Sequence, residues 1–428
     1  MDMQLAKGVR DINPEEKLVK NQVLDSLRRI FELYGFGPLE TPILERYETL
    51  AAKGGAEEGS DCLKETFQLT DQGNRKLGLR FELTTSLARY VAMNPTLKLP
   101  FKRYEMGQVF RDGPIKLGRY RELWQCDMDT VGSSSMLADA EIVAMVDAFF
   151  RYWDIGIVIK INNRKLLNGI LEQAGIKEVK EALISIDKLD KIGVKGVSDE
   201  LIGRGYTKKQ TEQLFMFLKP GMTLSEIASL MTSTEGKQGL AELQELFSYL
   251  DALKIDCYQL DISLARGQAY YTGTVFEPYL KQPGEGEPKG SLAGGGRYDN
   301  MVGKFAGGDR VIPAVGGSFG IEPIMDVFKA RKKIGAKSAA AALVVPISTP
   351  LESLVVAKQL REGGIGTDIA TGKKGVSKNL EYASALGISY VVIVGEDEVK
   401  QKKVLLRDMQ TGTQELLTVK DVIKRLTK

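Results

Sequence analysis

The chain has 428 residues, 43% hydrophobic and 27% charged, the composition of a globular protein with two or three domains and a sizeable core. Its 59 lysines and arginines against 56 aspartates and glutamates leave a net charge of +3, so any nucleic-acid binding belongs to a local patch rather than to the whole surface. It contains no histidine, which excludes histidine triads, histidine metal ligands and a histidine general base and leaves arginine, carboxylate, tyrosine, backbone or a bound ion to carry chemistry. Cys62, Cys126 and Cys257 are far apart without CxxC spacing and read as free thiols, with no cysteine metal site. The start "MDMQLAKGVRD" lacks signal-peptide character and no long apolar run follows, which predicts a cytoplasmic protein.

In chain order, Asn13 is placed to cap a helix beginning at Pro14, with Glu16 completing a capping box and Gly35 ending it. Leu24, Leu27, Phe31 and Tyr34 form its apolar face. "ETPILE" reads as a strand, a polar stretch runs to about Asp61, and "TFQLTD" and "KLGLRFELTTS" read as strands joined by a "DQGN" turn. That pattern predicts an antiparallel sheet. "MLADAEIVAMVDAFFRYW" is helical and leads into the strand "IGIVIKIN"; Lys165 to Leu250 is charged helical sequence, the pattern of an insertion. Strand signals return in "YQLDISLARGQAYYTGTVFEPYL", pass the loop "KQPGEGEPKG", and resume in "SLAGGGRYDNMV" and "AVGGSFGIEPIMDVF". After the linker-like "KARKKIGAKSAAAA", strands and helices alternate to the end, as in a small α/β domain.

The expected organisation is therefore an α+β domain with an antiparallel sheet over 1–164 and 251–328, a helical insertion over 165–250, a linker over 329–340 and an α/β domain over 341–428.

The stretch "VFRDGPIKLGRYRELWQCDMD" concentrates charge of both signs. In an extended strand Arg119, Arg121, Leu123, Gln125, Asp127 and Asp129 share one face, while Tyr120, Glu122, Trp124, Cys126 and Met128 share the other. The first face suits a zwitterion beside a polyanion; a solvated face whose charges pair across the sheet, at about a few tenths of a kcal/mol each, is the alternative. Arg111 and Arg121 stand at opposite ends of a Gly- and Pro-containing loop, a spacing that would clamp a phosphate.

Taken together, these stretches resemble the histidyl-tRNA synthetases, a family of class II aminoacyl-tRNA synthetases, over nearly the whole chain. The hairpin matches class motif 2, "LETPILE" resembles motif 1, and "LRFELT" matches the amino-acid pocket strand. "LARGQAYYTGTVFE" and "GGGRYD" match the two histidine signatures, and "AVGGSFGIEPI" sits where motif 3 belongs. The resemblance implies a class II fold with a C-terminal anticodon-binding domain. It also implies activation of histidine with ATP and Mg²⁺, transfer to tRNA(His), and a homodimer joined near Pro42.

Residue by residue, the resemblance gives Arg111 and Arg266 catalytic roles at the α-phosphate, with Arg119 and Arg121 in the loop that approaches ATP. Glu82, Thr84, Gln125 and Asp129 would hold the ammonium and imidazole of histidine, with Asp129 and Tyr270 on the ring nitrogens. Arg266 would also meet the carboxylate, Tyr271 would line the pocket, and Gly294, Gly295 and Gly296 would admit a close backbone approach. Lys373, Lys374 and Lys378 are candidates for tRNA phosphates. Taken singly, Glu82 also reads as an exposed strand carboxylate, the tyrosines as strand aromatics, the glycines as a bend and the lysines as a solvated helix start.

Two departures fall beside substrate. Pro323 stands where the family usually has the motif 3 arginine, for which Arg297 or Arg310 is a possible substitute, and Gln268 and Ala269 replace a leucine and an aspartate. They keep open an alternative: a synthetase-like histidine-sensing or tRNA-binding regulatory protein without aminoacylation activity.

Overall fold

The computed structural model describes residues 3–52, 61–115, 118, 120–219, 221–265, 270–307, 310–332, 337–372 and 375–427. The chain forms two compact units, one of residues 1–10 and 24–330, the other of 11–23 and 331–428.

Helix α1 (Pro14–Leu33) begins as its capping residues dictate, with the Glu16 amide donating to Asn13 Oδ1 at 2.9 Å. It ends at Gly35, whose φ of 76° lets the Phe36 amide reach back to the Phe31 carbonyl at 3.0 Å. Next come β1 (Gly37–Pro38), β2 (Leu44–Arg46), α2 (Tyr47–Ala51), α3 (Asp61–Lys64), β3 (Gln68–Thr70), β4 (Lys76–Leu79) and α4 (Thr84–Met93). The long hairpin β5 (Phe101–Phe110) and β6 (Glu122–Val131) leads to α5 (Met136–Tyr152) and β7 (Ile157–Asn163). Six helices make the insertion: α6 (Arg164–Gln173), α7 (Val179–Ile186), α8 (Leu189–Gly203), α9 (Lys208–Phe217), α10 (Leu224–Leu230) and α11 (Thr234–Ala252). The sheet resumes with β8 (Tyr258–Leu260), β9 (Thr274–Leu280), β10 (Ala293–Arg297), α12 (Met301–Phe305), β11 (Ala314–Gly320) and α13 (Ile321–Ala330).

These strands build an eight-stranded sheet in the order β1-β5-β6-β11-β10-β9-β7-β8. Its pairs are antiparallel except the two at its ends, β1 with β5 and β7 with β8. Strands β2, β4 and β3 form a separate three-stranded sheet. One face of the large sheet packs on α1 and α5, where Phe31, Phe149, Phe150 and Phe319 meet with ring centroids 5.0–6.1 Å apart. Burying such rings contributes about 1.5–3 kcal/mol each, and it leaves the opposite face of β6 and β11 for polar side chains.

Two strand expectations are corrected. "KLGLRFELTTS" is strand only over Lys76–Leu79, because Thr84 starts α4 and the Glu82 carboxylate satisfies that helix's first amides. Likewise "YQLDISLARGQAYYTGTVFEPYL" is two strands, β8 and β9, joined by a turn-rich segment, so Tyr270 lies off the strands. Lys329 and Ala330, expected in the linker, close α13.

The second unit carries β12 (Ala342–Pro346), α14 (Pro350–Glu362), β13 (Thr367–Ile369), α15 (Val376–Ala385), β14 (Tyr390–Val394), α16 (Glu396–Lys400), β15 (Val404–Asp408), β16 (Gln414–Leu417) and α17 (Val419–Leu426). Its sheet runs β13-β12-β14-β15-β16 with parallel pairing around β12. Both faces are covered, since Ala342 and Val344 enter one apolar cluster while Leu343 and Val345 enter another.

Candidate active site

The cleft of the first unit, about 250 Å³, opens on the polar face of β6, β10 and β11. The pairing register builds its floor. Asp129 lies between Arg103 of β5 and Gly316 of β11, Asp127 between Glu105 and Ser318, and Gln125 between Gly107 and Gly320. Small residues on β11 are a steric requirement, for a Cβ on Gly316 would lie 1.9 Å from Asp129 Oδ1. On the other side, a Cβ on Gly107 would lie 2.2 Å from an Arg80 guanidinium nitrogen.

Beneath this floor lies a buried ionic network. Arg103, with no exposed surface, approaches Asp129 Oδ2 at 2.9 Å and Glu105 Oε2 at 3.7 Å. Glu105 Oε1 accepts from Arg80 at 2.9 Å and from the Thr41 hydroxyl at 2.7 Å. The Tyr298 hydroxyl donates to Asp129 Oδ1. Burial pushes Tyr298 well above its ordinary range and nearby Asp129 adds to this, so the phenol keeps its proton as a donor. Burial alone would lower Arg103, yet Asp129, Asp127, Glu105 and Tyr298 together hold it raised and protonated. Burial raises Asp129 against the pull of Arg103 and Tyr298, and it pushes Asp127 up to about 8, with Asp129 and Glu82 adding repulsion. Three buried acceptors of the floor, Gln125 Oε1, Asp127 Oδ1 and Asp129 Oδ2, have no hydrogen-bond donor among the described residues, the last being in ion-pair contact with Arg103; an unmet acceptor costs about 1–3 kcal/mol unless an incoming group donates to it.

Around the floor stand Thr84, Arg111, Gly118, Tyr270, Tyr271, Gly294, Gly295, Tyr298 and Pro323. Glu82 reaches the same cleft while its carboxylate accepts from the amides of Thr84 (3.1 Å) and Thr85 (2.8 Å). Gln125 Nε2 donates to Ser318 Oγ at 3.0 Å. The guanidinium of half-buried Arg111 lies 4.5 Å from the Phe81 ring centroid and donates from Nε to the Phe81 carbonyl at 3.2 Å, contacts that orient it. Tyr270 and Tyr271 pack together with centroids 4.7 Å apart. A larger hollow of about 420 Å³ elsewhere on the unit includes Asp147 and Arg151, which pair with each other at 2.5 Å.

The expected site residues thus fall into three groups. Glu82, Thr84, Arg111, Gln125, Asp129, Tyr270, Tyr271, Gly294 and Gly295 line one cleft. Arg121 precedes β6 and pairs with Asp112 at 2.9 Å rather than lining the cleft; Gly296 does not line it either, and its backbone packs where a Cβ would lie 2.3 Å from the Thr274 carbonyl oxygen. Arg119, Arg266, Lys373 and Lys374, with Gln268 and Ala269, lie outside the described residues, while Lys378 is exposed in the first turn of α15.

Of the two proposed stand-ins for a motif 3 arginine, Arg297 is engaged elsewhere: it is buried, paired with Asp139, and donates to the Ser133 carbonyl at 2.8 Å. Arg310 is exposed and does not line the cleft. Pro323 occupies the first turn of α13, where the absent N–H has no intrahelical acceptor to lose. Sequence reading missed Arg103, Glu105 and Tyr298, and placed Asp127 on the site face without giving it a role. The available signal was the alternation of Arg103 and Glu105 on the strand before the hairpin, matching Asp129 and Asp127 across it.

An eight-stranded, antiparallel-centred sheet that carries an arginine-bearing hairpin, with motif 3 on the adjacent strand and helix, defines the catalytic fold of class II aminoacyl-tRNA synthetases. A model of histidyl-tRNA synthetase matches residues 8–324 and a model of an anticodon-binding domain matches 341–428. The chain belongs to the histidyl-tRNA synthetase family. It is 40% identical to histidine–tRNA ligase 1 of Bacillus cereus over 97% of this chain and 95% of that protein. It is 35% identical to the histidine–tRNA ligase of Clostridium tetani, over 97% and 96%. The crystal structure of histidyl-tRNA synthetase from Nostoc sp. PCC 7120 superposes with a TM-score of 0.87 at 32% identity, covering 99% of both chains. These relatives do not favour the regulatory alternative. No helix among the described residues is long and apolar enough to cross a membrane.

Proposed function

We propose that the chain is a histidine–tRNA ligase: it activates histidine with ATP and transfers the histidyl group to tRNA(His). The observation that carries this reading is the pairing, in one cleft, of a buried carboxylate floor with unmet acceptors and a ring-stacked arginine at the mouth of the hairpin. In the first step a carboxylate oxygen of histidine attacks the α-phosphorus of ATP and pyrophosphate leaves. In the second a terminal ribose hydroxyl of tRNA attacks the activated carbonyl and AMP leaves. Neither step needs a nucleophile from the protein, in keeping with a chain without histidine; the work is positioning and charge stabilisation.

In this assignment Arg111 takes the α-phosphate, and Arg119 and Arg121 approach the nucleotide. Asp129 and Tyr270 take the ring nitrogens, Gln125 and Glu82 the ammonium, and Arg266 the carboxylate. Gly294 and Gly295 leave the substrate backbone room. Mg²⁺ would enter on the ATP phosphates, where it would neutralise charge on the leaving pyrophosphate.

The second unit supplies tRNA contact, with Lys373, Lys374 and Lys378 meeting phosphates. We place the enzyme in the cytoplasm as a homodimer; Pro42, Ile43 and Leu44 are exposed beside the three-stranded sheet, a surface suited to a second copy. Sedimentation showing a monomer at micromolar concentration would remove the dimer. The activity is tested by charging of tRNA(His) with labelled histidine. The full chain should form the ester, and a chain ending at about Ser338 should still activate histidine but charge poorly. A full chain that forms no ester contradicts the assignment.

A further inference from the structure

The charges of the cleft floor do not balance pairwise. Two guanidiniums lie under it, and Arg80 is committed to Glu105, to the Gln108 carbonyl at 2.8 Å and to the Thr41 carbonyl at 2.8 Å. That leaves Arg103 facing Asp129 and Asp127, neighbours on one strand face, with Glu105 beyond at 3.7 Å. As a purely structural group Arg103 is a poor choice. It is wholly buried, and its Nε and Nη1 find no hydrogen-bond acceptor among the described residues. An apolar side chain would fill such a space with less desolvation cost. Its Nη2, by contrast, stands 2.9 Å from the inner oxygen of Asp129, whose other oxygen receives the Tyr298 hydroxyl. The Tyr298 donor on one oxygen and the Arg103 charge beside the other hold the rotation of that carboxylate and favour its charged form.

We propose that Arg103 is a positioning residue for the substrate's side chain: it keeps Asp129 charged and oriented at the cleft floor. The proposal rests on the assignment of Asp129 to the imidazole and adds the group that makes Asp129 fit for it. Among the described residues the groups facing Asp129 are Arg103 and Glu105 from β5, Asp127 on its own strand, Tyr298 after β10 and Glu82 ahead of α4, and of these only Arg103 is a cation. Without it, the carboxyls would crowd one buried space, and burial and repulsion would raise Asp129 further. The upward displacement of Asp127, to about 8, agrees with a single guanidinium serving two carboxyls.

The test is histidine binding by titration calorimetry on the full chain from pH 6 to 9, for the wild type, Arg103→Met and Arg103→Lys. Arg103→Met should weaken histidine binding by about tenfold or more at pH 6.5 and recover toward the wild type by pH 9, as Asp129 ionises. ATP binding should stay within about twofold, and Arg103→Lys should restore much of the loss because it returns the charge. A profile parallel to the wild type, or equal losses for histidine and ATP, would reduce Arg103 to a structural group. If Arg103→Met does not fold, Tyr298→Phe removes the other donor to Asp129 and should give a smaller shift with the same pH dependence; no shift there overturns the proposal. A wild type that binds histidine but performs no histidine-dependent pyrophosphate exchange contradicts the proposed function, and the Arg103 profile is then still decided by binding alone.

Discussion

The two ends of the cleft are built by different means. The end proposed for the amino acid is made of strand positions locked in register: Gln125, Asp127 and Asp129 on β6, answered by Arg103 and Glu105 on β5 and by Gly316 and Ser318 on β11. The end proposed for the nucleotide is made of the half-buried Arg111, of Arg121 paired with Asp112, and of the first turn of α13. A buried floor cannot rearrange cheaply, so it discriminates by what it leaves unpaired. Half-exposed arginines move at small cost and suit a polyanion that arrives with its own counter-ion.

If that contrast is right, substitutions at each end should injure one substrate and spare the other. The largest effect is expected for Asp129→Ala, which leaves Arg103 buried without its nearest carboxylate, a loss of about 3–5 kcal/mol in comparable buried pairs. Histidine affinity should fall by about a hundredfold or more while ATP affinity holds, as separate titrations would show; matching losses would erase the distinction between the ends. Next comes Arg111→Ala, which should lower the rate of pyrophosphate exchange by about a hundredfold with histidine affinity unchanged. A histidine affinity that falls with the rate would move Arg111 to the amino-acid end.

Pro323→Arg should sharpen the comparison in the other direction. An arginine in the first turn of α13 would regain a charge-assisted contact of about 1.5–3 kcal/mol to the terminal phosphates. The ATP KM should drop about tenfold, and an unchanged KM would show that another cation already serves.

A separate effect is on stability rather than on binding. Burial raises Asp127 to about 8 from an ordinary value of about 3.9, so between these values the folded chain keeps a proton that the unfolded chain has lost. Asp127 therefore favours folding most fully below pH ~4, and that contribution is lost as pH rises through about 8. Asp127→Asn removes the titration. Its melting temperature should gain on the wild type between pH 5 and pH 9, and parallel melting curves across that range would place Asp127 outside the buried network.

The sequence made the outline of this site readable and hid its foundation. Arg111, Gln125 and Asp129 fall in a compact charged motif on a strand whose period-two alternation separates the two faces. Arg103 and Glu105 carry no motif; they matter because hairpin register sets them opposite Asp129 and Asp127, 26 and 22 positions away in the chain. Glu82 was mistaken for a strand residue because "FEL" alternates like one, whereas the amides of α4, seen only in three dimensions, recruit its carboxylate. The α/β character of the second unit was legible because its strands are continuous apolar runs buried on both faces.

The most direct measurement of the whole account is ATP–pyrophosphate exchange by the purified full chain with each of the twenty amino acids in turn. The account predicts exchange with histidine, background with the other nineteen, and loss of the histidine signal in Asp129→Ala while ATP still binds. Exchange driven by another amino acid, or none with histidine at concentrations that saturate binding, would contradict it.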